Sequence, residues 1–319
     1  MPEDEGEFSV KSEDLVSVVI PTYNHAAFLA VALDSLLSQT YENWEAIVVN
    51  NYSSDKTIEV VEGFQDSRIR LLNYHNNGVI GAARNRGIEI AKGDYVAFLD
   101  SDDSWSETKL STCMAEFSAD VDLVAHGLNY VGETTHEAVF CGPLERARYS
   151  RLLYNGNCII PSATIVKRIC LLDVGCFTEE KTMITAEDYH LWLKLAKSGI
   201  QMRFINEVLG FYRLHADNQS NTGERHLQAV FNVLEYFFPD KAQRSLLDKF
   251  RIRRCRGIWY RGTARRQQTA QLYTGALKKY GSALKCYPFD AKALVGAMMT
   301  VCQVIGRFSV NLLLGKRFE

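Results

Sequence analysis

The sequence has neither the paired cysteines of a zinc site nor a long apolar run. Its eight cysteines are scattered without a C-x-x-C spacing, which argues against a zinc ribbon and is typical of reduced thiols in a cytosolic protein. No uncharged apolar stretch reaches 18 residues, so we expect no membrane-spanning helix. The acidic segment 1–14 also lacks an apolar stretch, which predicts a mobile leader rather than a signal peptide.

An excess of charge of one sign is also missing. The 319 residues contain 36 Lys and Arg against 38 Asp and Glu, so the net charge gives no argument for a nucleic-acid partner, and we expect none. With 47% hydrophobic and 23% charged residues, the composition is that of a folded globular protein and excludes a disordered chain.

What is present in the first hundred residues is a strict alternation of strand and helix patterns. Apolar strands are predicted over 16–20, 44–49, 69–72 and 95–99, with helical spacing between them. This alternation predicts an α/β fold with an open, mostly parallel sheet flanked by helices. We expect the first strand to end at Pro21, and Asn24 and Asp55 to cap the helices that follow.

Polar clusters follow three of these strands: PTYNH, NNYSSD and DSDD. The carboxyl ends of parallel strands form the ligand crevice of open α/β sheets, so the three clusters predict one site. Three acids lie together in the last cluster, Asp100, Asp102 and Asp103, and their mutual repulsion suits a bound Mg²⁺ or Mn²⁺ that bridges a diphosphate.

Two other interpretations of the acid cluster remain open at this stage. DSDDSW is also compatible with a solvated turn before a helix over 107–117. An aspartyl-phosphate phosphatase uses Asp-x-Asp after an apolar strand, although Ser104 stands where that class has Thr or Val.

Several segments together resemble family 2 glycosyltransferases with the GT-A fold. They are SVVIPTYNH, NNYSSDKT, GAARNRGIEIAKGDYVAFLDSDDSW, TAEDYHLWLKLAKSG and FYRLHADNQS, within residues 16–220. The resemblance implies a hexosyltransferase-like enzyme of bacterial surface-polysaccharide assembly. It would use a divalent metal to transfer a sugar, with inversion, from a nucleotide-sugar to a glycan or lipid-linked glycan; a UDP-sugar is favoured.

The resemblance also implies roles for individual residues. Asp188 matches the base that activates the acceptor hydroxyl, and Asp102 with His215 match metal ligands. The matches to nucleotide-sugar-binding positions are Pro21, Thr22, Tyr23, Asn50, Asn51, Ser53, Asp55, Arg84, Asp100, Ser101 and Asp103.

For several of these residues an ordinary structural role is an alternative. Asp188 is also explained as an acid favoured in a first helical turn, and Arg84 as a surface residue paired with a neighbouring acid. Asn50 and Asn51 stand where many family members have two aspartates, which leaves the base preference open and slightly favours a non-catalytic binding module. Trp105 fits an acceptor-site wall or core packing equally well.

The remaining sequence predicts an acceptor side and a helical end. We expect a leader over 1–14, a catalytic domain over 15–221 with its nucleotide-binding half to about 120, and a helical region over 222–319.

Residues 249–266 carry eight basic side chains and no acid, and the apolar run 293–306 is too short to span a bilayer. These features fit an anionic membrane surface at the cytoplasmic face, a solvated helix face or, less well, nucleic acid. Self-packing of two helices explains the apolar run equally well.

Overall fold

The computed structural model describes residues 14–132, 138–215 and 223–313, with side chains of the last helix as far as Ile305. These residues form two compact units. The first unit comprises the described residues of 1–152 and 157–219, and the second those of 153–156 and 220–319. The predicted leader, apart from Asp14, and the predicted boundary after residue 221 lie outside the described residues.

The first unit is built on a mixed β-sheet. Its strands are β1 Val16–Thr22, β2 Trp44–Asn50, β3 Ile69–Asn73, β4 Tyr95–Phe98, β5 Ser104–Trp105, β6 Leu123–Val131, β7 Val139–Phe140, β8 Thr164–Lys167 and β9 Met202–Arg213. The helices of the whole chain are α1 Ala26–Leu37, α2 Thr57–Gly63, α3 Ile80–Ile90, α4 Lys109–Ala115, α5 Leu144–Ala147, α6 Tyr149–Asn155, α7 Arg168–Asp173, α8 Glu187–Ser198, α9 Glu224–Phe237, α10 Leu246–Thr269, α11 Tyr273–Cys286 and α12 Ala291–Leu313.

The strand order is β3-β2-β1-β4-β8-β6-β9-β5, with β7 paired to β6. The first four strands pair in parallel, as the alternating pattern predicts. Beyond β4 the pairing is mixed, because β8 pairs antiparallel with β4 and β6, and β5 with β9, whereas β6 and β9 pair in parallel. The predicted α/β sheet with flanking helices is confirmed, and its second half is mixed rather than parallel.

Strand β1 continues past the point where its end was predicted. Pro21 pairs in register with Val49, and Thr22 with Asn50. The carbonyl of Val19 accepts from Leu99 N at 3.1 Å, so the backbone polar groups of Val19 point toward β4. Those of Pro21, two residues later, point the same way. Pairing with β4 ends at Phe98, because Pro21 has no N–H with which to continue this ladder.

The second unit is helical, as predicted. Its longest described helix starts with a capping box between Ser245 and Asp248, and it contains the whole basic segment 249–266. The predicted helix pair that follows is confirmed as α11 and α12. It is packed around Tyr280, whose hydroxyl donates to Gln268 Oε1 at 2.8 Å.

Within the described residues, none of the helices combines the length and the apolar composition needed to cross a bilayer. All eight cysteines are unpaired, in agreement with the expected reduced thiols.

Lys109, the first residue of α4, is a buried cation without a hydrogen-bond acceptor. Its Nζ lies 3.7 Å from the ring centroid of Trp105, and burial lowers its pKa to about 8. Trp105 itself is 3% exposed and donates through Nε1 to Ser162 O at 2.7 Å, so core packing, and not an acceptor-site wall, explains it.

We expect Lys109→Met to stabilise the protein by about 1–3 kcal/mol at pH 7, because it removes an ammonium group that is buried without an acceptor. A lowered pKa means that the unfolded chain binds the extra proton, so wild-type stability rises between pH 8 and the ordinary value of 10.5, and the variant lacks this rise. Urea unfolding at both pH values measures the effect. The contrasting change is Lys194→Met, which should destabilise, because Lys194 Nζ donates to the carbonyls of Val174, Gly175 and Cys176.

Candidate active site

The loops that follow β1 and β2 are fastened to each other by hydrogen bonds. Ser53 Oγ accepts from Asn24 N at 2.8 Å, and Asn24 Oδ1 accepts from Ser54 N at 2.7 Å. The predicted cap of α1 by Asn24 is wrong, because Asn24 adopts a left-handed φ of 53° and its side chain turns to the second loop. The segments PTYNH and NNYSSD therefore form one surface.

Asp55 takes over the capping of α1. Its Oδ2 accepts from Ala26 N at 2.9 Å, while its Oδ1 accepts from Thr57 N at 3.1 Å, so one carboxylate serves the first turns of two helices. Burial raises its pKa, but the bonds from Thr57 and Ala26 outweigh burial and keep the pKa below its ordinary value. The predicted cap of α2 is confirmed. The predicted contact of Asp55 with the nucleotide-sugar stays a prediction.

Asn50 is fully buried and holds three segments together. Its Nδ2 donates to Asn73 Oδ1 at 2.7 Å, and its Oδ1 accepts from the backbone N and the hydroxyl of Ser53. Only an amide donates and accepts in this way, which explains an asparagine where a carboxylate is common in the family it resembles. Asn51 is partly exposed, and its Oδ1 accepts from Asn76 N at 3.1 Å.

Exposed aromatic rings lie along the same loops. Tyr23 is 55% exposed directly after buried Pro21 and Thr22, and Thr22 Oγ1 is buried without a hydrogen-bond partner. Tyr52 stacks on His75 with 3.9 Å between ring centroids, a pair that the sequence did not assign. These rings offer apolar faces to a planar base.

Arg84 is the positive group beside the acids. It is buried, its Nη2 donates to Asp100 Oδ1 and its Nη1 to Glu187 Oε1, each at 2.7 Å. Burial disfavours the charged guanidinium, but Asp100 and Glu187 outweigh burial and raise its pKa. The alternative of an exposed helix-face pair is therefore wrong. Glu187, which was not among the predicted site residues, is the second partner of Arg84.

The other two acids of DSDD are joined to the segment that ends β9. Asp102 Oδ2 lies 2.9 Å from His215 Nε2, and Asp103 Oδ1 accepts from Arg213 N at 3.0 Å. Asp103 is 2% exposed and its Oδ2 has no hydrogen-bond partner. Burial first, and then the charges of Asp102 and Asp100, raise its pKa well above the ordinary value.

His215 is also placed by aromatic contacts. Its ring stacks on Phe28 at 4.9 Å between centroids and meets His25 edge-on at 5.8 Å. His25 Nδ1 in turn lies 2.9 Å from the hydroxyl of buried Ser101. Neither His25 nor Phe28 was among the predicted site residues. The available signal was that His25 ends the segment PTYNH and that Phe28 follows it three positions later.

Asp188 lies one residue after Glu187 at the start of α8. Burial first, and then the neighbouring charge of Glu187, raise its pKa to about 7. Its Oδ2 accepts from Asn157 Nδ2 at 3.2 Å, a partner that sequence reasoning missed. A carboxylate with a pKa near 7 takes up and releases protons at physiological pH, as a general base must.

A divalent cation is implied by the acid cluster, and the side chains at this site fit one. Asp102 and His215 supply a carboxylate and an imidazole, and buried Asp103 Oδ2 is a neighbouring carboxyl oxygen without a hydrogen-bond partner. In the described part of the chain, no group of three His, Cys, Asp or Glu side chains is already arranged as a metal site.

Similarity to known proteins identifies the family of this chain. The family model "Glycosyl transferase family 2" matches residues 17–171. The E. coli UDP-Glc:alpha-D-GlcNAc-diphosphoundecaprenol beta-1,3-glucosyltransferase WfaP is 34% identical over 224 residues, which cover 70% of this chain and 86% of WfaP. This chain belongs to glycosyl transferase family 2. As a glycosyltransferase it is an enzyme, which excludes the phosphatase and the non-catalytic binding module as alternatives.

Further relatives agree with the family and the fold. The putative teichuronic acid biosynthesis glycosyltransferase TuaG of Bacillus subtilis is 32% identical, over 63% of this chain and 79% of its own. The structure of S. aureus TarS 1–349 with UDP-GlcNAc has a TM-score of 0.63 at 17% identity, covering 95% of this chain and 93% of TarS 1–349. The mannosyltransferase PcManGT of Pyrobaculum calidifontis, with GDP-Man and Mn²⁺, has a TM-score of 0.58 at 18% identity, covering 98% of this chain and 84% of PcManGT. These structural similarities confirm the GT-A-type fold of this family 2 enzyme.

Proposed function

We propose that this family 2 glycosyltransferase moves a sugar, with inversion, from a nucleoside diphosphate sugar to a hydroxyl group of a lipid-linked glycan. The observation that carries the proposal is a buried ionic cluster in which Arg84 pairs with Asp100 and Glu187, directly beside Asp188 with its pKa of about 7. Asp100 at the end of β4 and Glu187, the residue before the candidate base on α8, are thereby held by one guanidinium.

Asp188 is the proposed base. It accepts the proton of the acceptor hydroxyl as that oxygen forms a bond to the anomeric carbon, while the bond from this carbon to the diphosphate oxygen breaks. A single displacement of this kind inverts the anomeric centre. Asn157, which donates to Asp188 Oδ2, keeps that carboxylate oriented.

We place the binding site for the nucleoside at the loops after β1 and β2 in this proposal. Exposed Tyr23 and partly exposed Asn51 supply a ring face and an amide, and Asn50 with Ser53 and Asp55 holds the loops in place. Asp100, Ser101 and Asp103 border the ribose and the donor sugar. A UDP-sugar is the proposed donor. It is supported by the name of WfaP, which states UDP-Glc, and by the TarS complex with UDP-GlcNAc.

Asp102 and His215 are the proposed ligands of Mg²⁺ or Mn²⁺, and such a cation stabilises the negative charge of a departing diphosphate. The Mn²⁺ bound in PcManGT supports this assignment. The acceptor is proposed from the name of WfaP, which states a diphosphoundecaprenol-linked sugar. A lipid-linked acceptor places the reaction at a membrane surface.

We expect Asp102→Asn to weaken Mn²⁺-dependent binding of nucleoside diphosphate by about tenfold or more, because a ligand carboxylate is lost. The melting temperature without metal should stay the same or rise, since the change relieves repulsion within the acid cluster. Calorimetric titration of UDP and GDP with and without Mn²⁺ measures both affinity and metal dependence.

The control is Asp120→Asn, which changes an exposed aspartate outside the site and should leave binding unaltered. Equal Mn²⁺-dependent affinity in wild type and Asp102→Asn would contradict the metal assignment.

A further inference from the structure

Helix α12 is apolar on two sides, and among the described residues one side is buried and the other is exposed. Ala293, Gly296 and Thr300 are buried against the second unit. A Cβ atom at Gly296 would lie within 2.5 Å of the Tyr280 ring, so the glycine lets that ring of α11 pack directly on the α12 backbone. This inner face accounts for the contribution of α12 to the core of the second unit.

The opposite side of α12, which we term the outer face, is exposed and apolar. Its members recur at helical spacing, with four in one row and three in the next. They are Leu294, Met298, Val301 and Ile305, and Val295, Met299 and Cys302. No charged residue occurs between positions 293 and 305. A contiguous exposed apolar face of this kind marks a surface that binds something.

Positive charge borders the outer face. A hydrogen bond of 3.0 Å from Gln268 Nε2 to Gln303 Oε1 and the ion pair of Arg261 with Asp290 place α12 alongside the second half of α10. Exposed Arg265 lies on that half of α10, and exposed Lys292 lies in the first turn of α12. Apolar and basic side chains therefore share one surface.

Positive charge also predominates over the whole of residues 220–319. Residues 220–319 contain 18 Lys and Arg against six Asp and Glu, whereas the rest of the chain contains 18 against 32. A second copy of this chain docked through the same surface would bring two strongly positive segments together. An anionic bilayer satisfies both features, because its interface takes up apolar side chains and its headgroups attract lysine and arginine.

We propose that the outer face of α12, with Arg265 and Lys292 beside it, is a membrane-docking surface for anionic phospholipid. The helix lies in the interface, parallel to the bilayer, and does not cross it. All residues of this surface lie in the second unit. The proposal rests on the proposed function only for its purpose, which is to hold the enzyme where a lipid-linked acceptor resides.

The test is co-sedimentation of the full-length protein with vesicles of equal parts phosphatidylglycerol and phosphatidylcholine, compared with pure phosphatidylcholine. Met298→Glu places a charge on a residue that is 60% exposed, so we expect unchanged folding and at least tenfold weaker binding to the anionic vesicles. The matched control is Ile169→Glu on α7 of the first unit, which is 59% exposed and should bind like wild type.

Failure to bind anionic vesicles at low salt, or equal binding of Met298→Glu and wild type, would overturn the proposal. Equally strong binding to pure phosphatidylcholine would overturn the role of charge. A dimer that Met298→Glu dissociates in sedimentation velocity would assign the face to a second copy instead. Mn²⁺-dependent binding of UDP should be the same in both variants and wild type, so loss of docking is distinguishable from failure of the proposed site.

Discussion

Asp188→Asn is expected to lower sugar transfer by ~10²-fold or more while leaving donor affinity nearly unchanged. An amide of the same shape keeps the hydrogen-bonding position next to Asn157 but does not accept the acceptor proton at neutral pH. The proposed metal and nucleoside contacts come from other residues, so the binding step should not change. Turnover and nucleotide-sugar affinity are measured on one preparation.

The stability of the same variant separates catalysis from a structural role. The pKa of Asp188 is raised to about 7, so the folded state holds its proton more tightly than the unfolded chain, and stability is lost as the pH rises through 7. Asp188→Asn removes this loss and should raise the melting temperature at pH 8. A helix-start acid with no other role would instead lower it slightly when replaced. Retained turnover with a lower melting temperature would remove Asp188 from the mechanism.

The pH dependence of the wild type follows from the same carboxyl group. A base with a pKa of about 7 is protonated below that value, so transfer should fall as the pH drops from 7 to 6. The residual activity of Asp188→Asn should not show this dependence. A wild-type rate that is constant across this interval would contradict the assignment of Asp188.

Arg84→Met is expected to destabilise the protein by about 3–5 kcal/mol, because it leaves buried acids without their cation. Arg84 donates to both Asp100 and Glu187, and its charge also favours ionised Asp188. Without it the pKa values of these acids should rise, so the loss of stability should be smaller at pH 5 than at pH 8. Urea unfolding at the two pH values measures this difference.

The matched control lies on the same helix. Arg86 pairs with Glu89 at the surface, three residues along α3, and Arg86→Met should cost less than ~1 kcal/mol. Equal losses for Arg84→Met and Arg86→Met would show that the buried cluster does not stabilise the fold.

The positions of the polar loops were predictable from sequence, because hydrophobic strands are local patterns and parallel strands end at the same edge of a sheet. This argument correctly brought together Asn24, Asn51 and the acids of DSDD. It did not predict that Asp55 caps α1, since an adjacent asparagine is an equally good cap and only the folded loops decide between them.

Contacts between residues distant in sequence were the main omission. Arg84 and Glu187 are 103 residues apart, and nothing local to either residue identifies the other as its partner. The same holds for Asn157 with Asp188. It also holds for the antiparallel pairing of β8 with β4, because β5, β6, β7 and three α-helices lie between these strands in the chain and no local pattern gives their relative direction.

Release of nucleoside diphosphate that depends on an acceptor tests the central claim most directly. Purified protein is incubated with Mn²⁺, with UDP- and GDP-sugars in turn, and with a diphospho-lipid-linked sugar as acceptor. We predict release of the nucleoside diphosphate from one donor only when the acceptor is present, together with a product of inverted anomeric configuration and almost no release by Asp188→Asn. Release from no donor, release that ignores the acceptor, or a product with retained configuration would contradict the account.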